Sequence, residues 1–177
     1  MAEAASRAGA RTPVLVGLGS NRCHGRFGPP RRVLVAALAA LAAGGAPPVR
    51  MSRIVETAPL GPSKRRYANA VAEVRWAGTP DELLGLLLRI EQQFGRRRWR
   101  RWGARVLDLD LLAFGQLVLE GAQLQVPHPE LHRRDFVLGP MREVAPRWRH
   151  PRLGLTVGQM AARRARPKAS AGSRTGV

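Results

Sequence analysis

Residues 79–114 read T-P-D-E-L-L-G-L-L-L-R-I-E-Q-Q-F-G-R-R-R-W-R-R-W-G-A-R-V-L-D-L-D-L-L-A-F, a helix, a basic segment and a strand set end to end. Thr79 suits a helix N-cap, Pro80 the first helical position, and Glu82 falls three residues after the cap, where it completes a capping box. Leucines at 83, 84, 86, 87 and 88, with Ile90 and Phe94, give a broad apolar face, and Gly95 ends the helix. From Val106 to Phe114 the period changes to two. Val106, Asp108, Asp110 and Leu112 share one face, expected to meet solvent. Leu107, Leu109, Leu111 and Ala113 share the other, expected in the core.

The pattern continues outward. Pro13 to Gly19 reads as a short buried strand running into a Gly-Ser-Asn turn. Pro29-Pro30 opens a helix to about Ala43, with Leu34, Ala37, Leu38 and Leu41 on one face and Gly44-Gly45 at its end. Val49 to Thr57 is a second strand, followed by the turn-rich A-P-L-G-P. Asn69 to Trp76 alternates Ala70, Ala72, Val74 and Trp76 against Val71, Glu73 and Arg75, so a half-buried strand is expected. The order β-α-β-β-α-β predicts an α+β fold, a ferredoxin-like sandwich with helices on both sides of a mainly antiparallel sheet. Shorter helices near 136–145 and 156–163 complete a domain over 13–163. Residues 1–12 and the basic 164–177 are expected to be disordered.

A chain of 177 residues with 45% hydrophobic content fits one domain with a proper core. Cys23 is the single cysteine, which rules out an internal disulfide and a cysteine-based zinc cluster. The longest apolar run, 33–43, is short of the ~20 residues of a membrane span. The N-terminus has no secretory h-region, so a cytoplasmic protein free of membrane is expected. The formal charge of +18 suits a polyanionic partner. All but two of the 30 basic residues are arginine, however, which also suits a coding bias.

Six arginines and two tryptophans precede the acid pair. Asp108 and Asp110 project from one strand face roughly 6.5–7 Å apart at Cβ. Metal pairs in phosphoryl-transfer sites stand about 3.5–4 Å apart, a span that two such carboxylates can clamp. Oxygen ligands favour Mg²⁺. Taken alone, D-x-D also suits a polar face paired with surface arginines. Arg96, Arg98, Arg101 and Arg105 favour a triphosphate, which needs hard cations for some oxygens and guanidinium forks for others. An RNA-binding tract gains nothing from two acids beside it. Tyr67, Asn69, Phe136 and the 57–61 loop offer stacking and edge contacts to a flat heterocycle, although each alone also suits a core or turn position.

These residues bring a family into view. V-G-L-G-S-N at 16–21, E-T-A-P-L-G at 56–61, Y-A-N-A at 67–70, I-E-Q-Q-F-G-R at 90–96, R-W-G-A-R-V-L-D-L-D-L-L at 101–112 and V-P-H-P-E-L-H-R-R-D-F-V-L-G-P at 126–140 occur in that order. Over 13–163 the chain resembles the 6-hydroxymethyl-7,8-dihydropterin pyrophosphokinases of folate synthesis. The resemblance implies an ATP-dependent enzyme that moves a diphosphoryl group onto a pterin alcohol, with ATP as co-substrate. It implies two Mg²⁺ ions on Asp108 and Asp110, with Arg96 and Arg105 on the phosphates. Arg98, Arg101 and Trp102 fall on a lid over ATP, and Glu91, Leu111, His128 and Arg134 match further positions of the nucleotide site. Tyr67 and Phe136 match the pair that sandwiches the pterin, while Thr57, Ala58, Pro59, Leu60 and Asn69 match its hydrogen-bonding edge.

Three features depart from the family pattern. Ala104 replaces a usual proline, Gln123 and Gln125 stand where some members place an arginine near ATP, and Arg97 and Arg100 enrich the lid. An RNA-binding module and a nucleotide-binding homologue without turnover are the competing readings. A monomer without nucleic acid is expected.

Overall fold

Alternation along β1 (Val14–Ser20) decides the layering. Val14, Val16 and Leu18 enter one buried cluster while Leu15 enters another on the opposite face. The computed structural model describes residues 13–58, 66–95 and 106–165. Within them, β1 is followed by α1 (Pro30–Ala43), β2 (Pro48–Met51), β3 (Val55–Thr57), β4 (Tyr67–Val74), α2 (Pro80–Gln93) and β5 (Asp108–Phe114). A small hairpin of β6 (Leu119–Glu120) and β7 (Gln125–Val126) leads to a cis Val126–Pro127 bond, then a 3₁₀ turn over Leu131–Arg133, α3 (Asp135–Val144) and α4 (Val157–Ala165).

β2 and β3 both pair with β4, β4 with β1, and β1 with β5, every pair antiparallel. Each helical crossover therefore skips a strand, which is the ferredoxin-like arrangement expected from the sequence. Leu34, Ala37 and Leu41 of α1 and Leu83, Leu87 and Ile90 of α2 pack on the face carrying Val16, Ala72 and Leu109. Leu138 and Met141 of α3 and Val157 and Met160 of α4 pack on the face carrying Leu15, Val71 and Leu112. Helices thus cover both sides.

Three details differ from expectation. The strand expected over 49–57 is broken at 52–54, where Ser52 binds β4 through its side chain as well as its backbone. Its N–H donates to the Val71 carbonyl at 2.9 Å and its Oγ accepts from the Val71 N–H at 3.0 Å. Arg53 then turns its N–H to Glu143 Oε2 at 2.9 Å, a side-chain partner in place of a sheet carbonyl. Secondly, Ala113 does not share the face of Leu109 and Leu111. The β1–β5 register passes from Leu15↔Ala113 to Val16↔Leu111, and Leu112 and Ala113 both join the second core. This bulge inserts one residue and resets the alternation. Leu112 stays on the face of Asp108 and Asp110 but is 1% exposed, because α3 and α4 pack over that part of it, while the two acids are half-buried. Thirdly, α4 runs to Ala165, two residues past the expected end, and the Arg164 guanidinium is forked onto Asp135 at 3.2 and 3.1 Å. Residues 1–12 and 166–177 lie outside the described residues.

The capping box of α2 is formed as the sequence predicts. Thr79 N–H donates to Glu82 Oε2 at 2.7 Å and Glu82 N–H to Thr79 Oγ1 at 3.2 Å. Thr79→Ala is expected to cost about 1 kcal/mol. A calorimetric scan should show a fall of roughly 2–4 °C in Tm.

Beneath the 147–155 loop, Trp148 donates its indole N–H to the Gly115 carbonyl at 2.8 Å, and the rings of Trp148 and His132 lie 5.7 and 6.1 Å from that of His150. His150 Nδ1 faces the N–H groups of Arg152 and Leu153 at 3.3 and 3.4 Å, so it must stay unprotonated. Burial first, then the charges of His132 and Arg152, hold this imidazole below its ordinary value of 6.5. The unfolded chain therefore takes the proton more readily. Stability should be complete above about pH 6.5 and fall as the pH drops below it. Denaturant titrations at pH 7.5 and 5.5 should reveal this loss, and His150→Gln should reduce it. His128, displaced in the same direction, leaves a residual slope.

Candidate active site

Among the described residues, α3 and α4 pack on only part of their sheet face, and the rest of it carries polar residues. Tyr67 and Asn69 project from β4, and Asp108 and Asp110 from β5. Between them β1 presents two glycines. Gly19 lies opposite Asn69 on one side and Asp108 on the other, and Gly17 lies opposite Val71 and Asp110. A Cβ at position 19 would meet Asn69 Oδ1 at 3.4 Å and Asp108 Cβ at 3.8 Å, and one at 17 would meet Leu112 at 3.3 Å. Gly19 therefore leaves a side-chain-free floor joining the amide to the acids, a row spanning about 10 Å across two strand spacings, while the Leu112 side chain packs over Gly17. V-G-L-G at 16–19 belongs to the motifs that carry the resemblance, without a role of its own for either glycine. Glycines at i and i+2 within an otherwise apolar strand were the available signal.

Asn69 is 7% exposed and donates its amide to Thr57 Oγ1 at 2.8 Å, tying together two of the residues expected at a heterocycle's edge. The fixed amide direction leaves the Asn69 carbonyl oxygen as an acceptor beside Gly19. Ala58 is exposed just beyond β3. Pro59 and Leu60 lie outside the described residues. Glu56 and Arg66, which flank that segment, pair at 3.4 Å.

A wall rises from the segment between β7 and α3. His128 is anchored by its N–H to the Leu112 carbonyl at 2.9 Å, and its Nδ1 accepts from the Glu130 N–H at 3.1 Å, which puts the ring proton on Nε2. Burial pushes its pKa down most strongly and the Arg134 charge adds to that. Asp110, Glu130 and Asp108 oppose it without prevailing. At neutral pH it is therefore an uncharged donor beside the acids. Arg134 Nη1 stands 3.7 Å from Asp110 Oδ2, and its guanidinium carbon 5.8 Å from the centre of the Phe136 ring. The half-buried Tyr67 and Phe136 stand on different elements, β4 and α3.

The remaining expected residues divide sharply. Glu91 is 0% exposed, and its Oε1 accepts the Leu109 N–H at 2.8 Å, so the carboxylate is built into the packing behind the acids and away from solvent. The Leu111 side chain sits in the first core, which leaves only its backbone for a ligand. Arg96, Arg98, Arg101, Trp102 and Arg105, with Arg97, Arg100 and Ala104, lie outside the described residues. Gln123 and Gln125 are exposed at the β6–β7 hairpin.

Paired carboxylates and an amide on one face of a ferredoxin-like sheet, with Gly19 between them, suit a group-transfer enzyme. The profile of the 7,8-dihydro-6-hydroxymethylpterin-pyrophosphokinase family matches residues 15–146, and the chain belongs to that family. It is 43% identical over 147 residues to the 2-amino-4-hydroxy-6-hydroxymethyldihydropteridine pyrophosphokinase of Synechocystis, covering 82% of this chain and 73% of that one. The enzyme of the same name from Pseudomonas aeruginosa is 40% identical over 142 residues, covering 78% of this chain and 83% of that one. Among solved structures, wild-type HPPK-DHPS of Plasmodium falciparum superposes with a TM-score of 0.63 at 12% identity. That match covers 85% of this chain and 44% of the longer protein, so it speaks to the fold alone. No described helix is long and apolar enough to cross a membrane.

Proposed function

We propose that this chain transfers the β,γ-diphosphoryl group of ATP to the hydroxymethyl oxygen of 6-hydroxymethyl-7,8-dihydropterin and releases AMP, the reaction named for its relatives. The row Asn69–Gly19–Asp108 carries the reading. A bicycle whose edge meets the Asn69 oxygen and whose faces meet Tyr67 and Phe136 directs its substituent along the glycine floor toward the acids. Stacking supplies much of the affinity and the edge hydrogen bonds supply the choice of heterocycle.

Asp108 and Asp110 fit Mg²⁺ by chemistry. They are hard oxygen donors on one strand face, and Mg²⁺ is ordinarily held by one or two carboxylates together with phosphate oxygens and water. Two bound Mg²⁺ ions would neutralise phosphate charge and align the triphosphate. The chain's own part is to hold that triphosphate in line with the pterin hydroxyl. His128 can donate from Nε2 to a phosphate oxygen, and Arg134 can pair with one. By resemblance, Arg96 and Arg105 stabilise the charge that shifts as the β-phosphorus changes partners, and Arg98, Arg101 and Trp102 exclude water. We take the working unit to be a cytoplasmic monomer.

Titration of the fluorescent pterin in the presence of Mg²⁺ and a non-hydrolysable ATP analogue tests the reading. Saturable binding is expected, about tenfold weaker in Tyr67→Ala through lost stacking and apolar contact. Absence of pterin binding by the folded protein, with RNA binding that falls steeply with salt, would replace the proposal by the RNA-binding alternative.

A further inference from the structure

The reading of Asp110 as a metal ligand raises the question of what balances its charge before the metal arrives, and the following rests on that reading. Arg134 occupies the junction between the 3₁₀ turn and α3, where its carbonyl accepts the N–H groups of Val137 and Leu138 at 3.0 and 2.9 Å. The backbone is pinned while the side chain is about one-third exposed. Its guanidinium lies 3.7 Å from Asp110 Oδ2 and also 5.8 Å from the Phe136 ring centre. An aromatic face within about 6 Å attracts a guanidinium, so the Phe136 ring can keep hold of the Arg134 head when its contact with the acid is lost.

A divalent cation and a guanidinium drawn to the same carboxylate repel one another, and the two negative charges of Asp108 and Asp110 are matched by the cation alone, which leaves none for Arg134. His128, engaged at Nδ1 by the Glu130 N–H, brings no negative charge to the site. We propose that Arg134 is a resident counter-ion of Asp110 which a divalent cation must displace, and that the guanidinium so released becomes available to the phosphates of the incoming nucleotide. The exchange makes bare metal a poor ligand and the metal–nucleotide complex a good one. The complex brings both the cation that takes Asp110 and the anion that takes Arg134.

Manganese binding to the nucleotide-free protein, followed by the electron paramagnetic resonance of free Mn²⁺, provides a test without turnover. Arg134→Gln is expected to bind Mn²⁺ about two- to fivefold more tightly, the range set by an ion pair open to water. The gap should narrow as salt rises, and Arg134→Lys, which keeps the charge, should remain close to the parent. The same Gln variant is expected to bind a non-hydrolysable ATP analogue with Mg²⁺ more weakly. Effects of opposite sign separate ion exchange from structural damage, which would weaken both. Equal or weaker Mn²⁺ binding by a folded Arg134→Gln variant would overturn the counter-ion role, even if the chain forms AMP. If neither the parent nor Arg134→Gln bound Mn²⁺ more tightly than Asp110→Asn, the metal assignment beneath the proposal would fail as well.

Discussion

Asp110→Asn is expected to lower the rate of diphosphoryl transfer by about 10²–10³, the usual effect of removing one preorganised electrostatic contact. The carboxamide keeps the shape of the side chain but not its charge, and a neutral oxygen holds Mg²⁺ far less well. The fold should tolerate the change. Asp110 is half-buried, its strand neighbours Leu109 and Leu111 remain in the first core, and its pair with Arg134 is solvent-accessible. Pairs of that kind contribute up to about 1 kcal/mol. Steady-state rates at saturating Mg²⁺, alongside thermal unfolding, separate the two effects. Turnover close to that of the parent protein would remove Asp110 from the metal site.

The largest effect on stability is expected at Glu91. This carboxylate is enclosed between α2 and β5 and accepts the N–H of Leu109, the residue between the two acids. Replacing it with Ala leaves that donor without its acceptor and opens space in a packed layer. Loss of a hydrogen bond to a charged group costs about 1.5–3 kcal/mol, and the vacated volume adds to that. A total of about 3 kcal/mol corresponds to a fall of roughly 6–12 °C in Tm. Activity should fall as well, because the strand that sets the separation of Asp108 and Asp110 loses its tether. Glu91→Gln, with an acceptor oxygen in place, should recover more than half of the lost stability. A Glu91→Ala variant that melts with the parent protein would show that the Leu109 N–H finds another partner.

Local signals in the sequence were sufficient for the order of the main strands and helices, though not for the β6–β7 hairpin. The box of Thr79 and Glu82, the Pro29-Pro30 entry to α1 and the alternation of Ala70, Ala72 and Val74 each depend on residues close in the chain. Features that depend on pairing across strands were not legible. The bulge at Leu112 and Ala113 arises from the register of β5 on β1, and the break at Ser52 from a side chain that joins the ladder to β4. The acids, the amide and Phe136 could be picked out by residue type and by resemblance. The glycines between them stand out in the sequence, but their role does not, because its meaning comes from what stands on either side. Glu91 illustrates a further limit. Its resemblance placed it among positions of the nucleotide site, and sequence gave no sign that its carboxylate would be enclosed and bonded to the strand of the acids.

On the function proposed here, the acids and the Asn69 edge, joined across Gly19, direct a diphosphoryl group from ATP to a pterin hydroxyl. The most direct measurement separates the nucleotide products formed with ATP, Mg²⁺ and 6-hydroxymethyl-7,8-dihydropterin. AMP appearing only when the pterin is present, in equal amount to pterin consumed, is the predicted result. ADP, or no nucleotide product from folded protein, would contradict it.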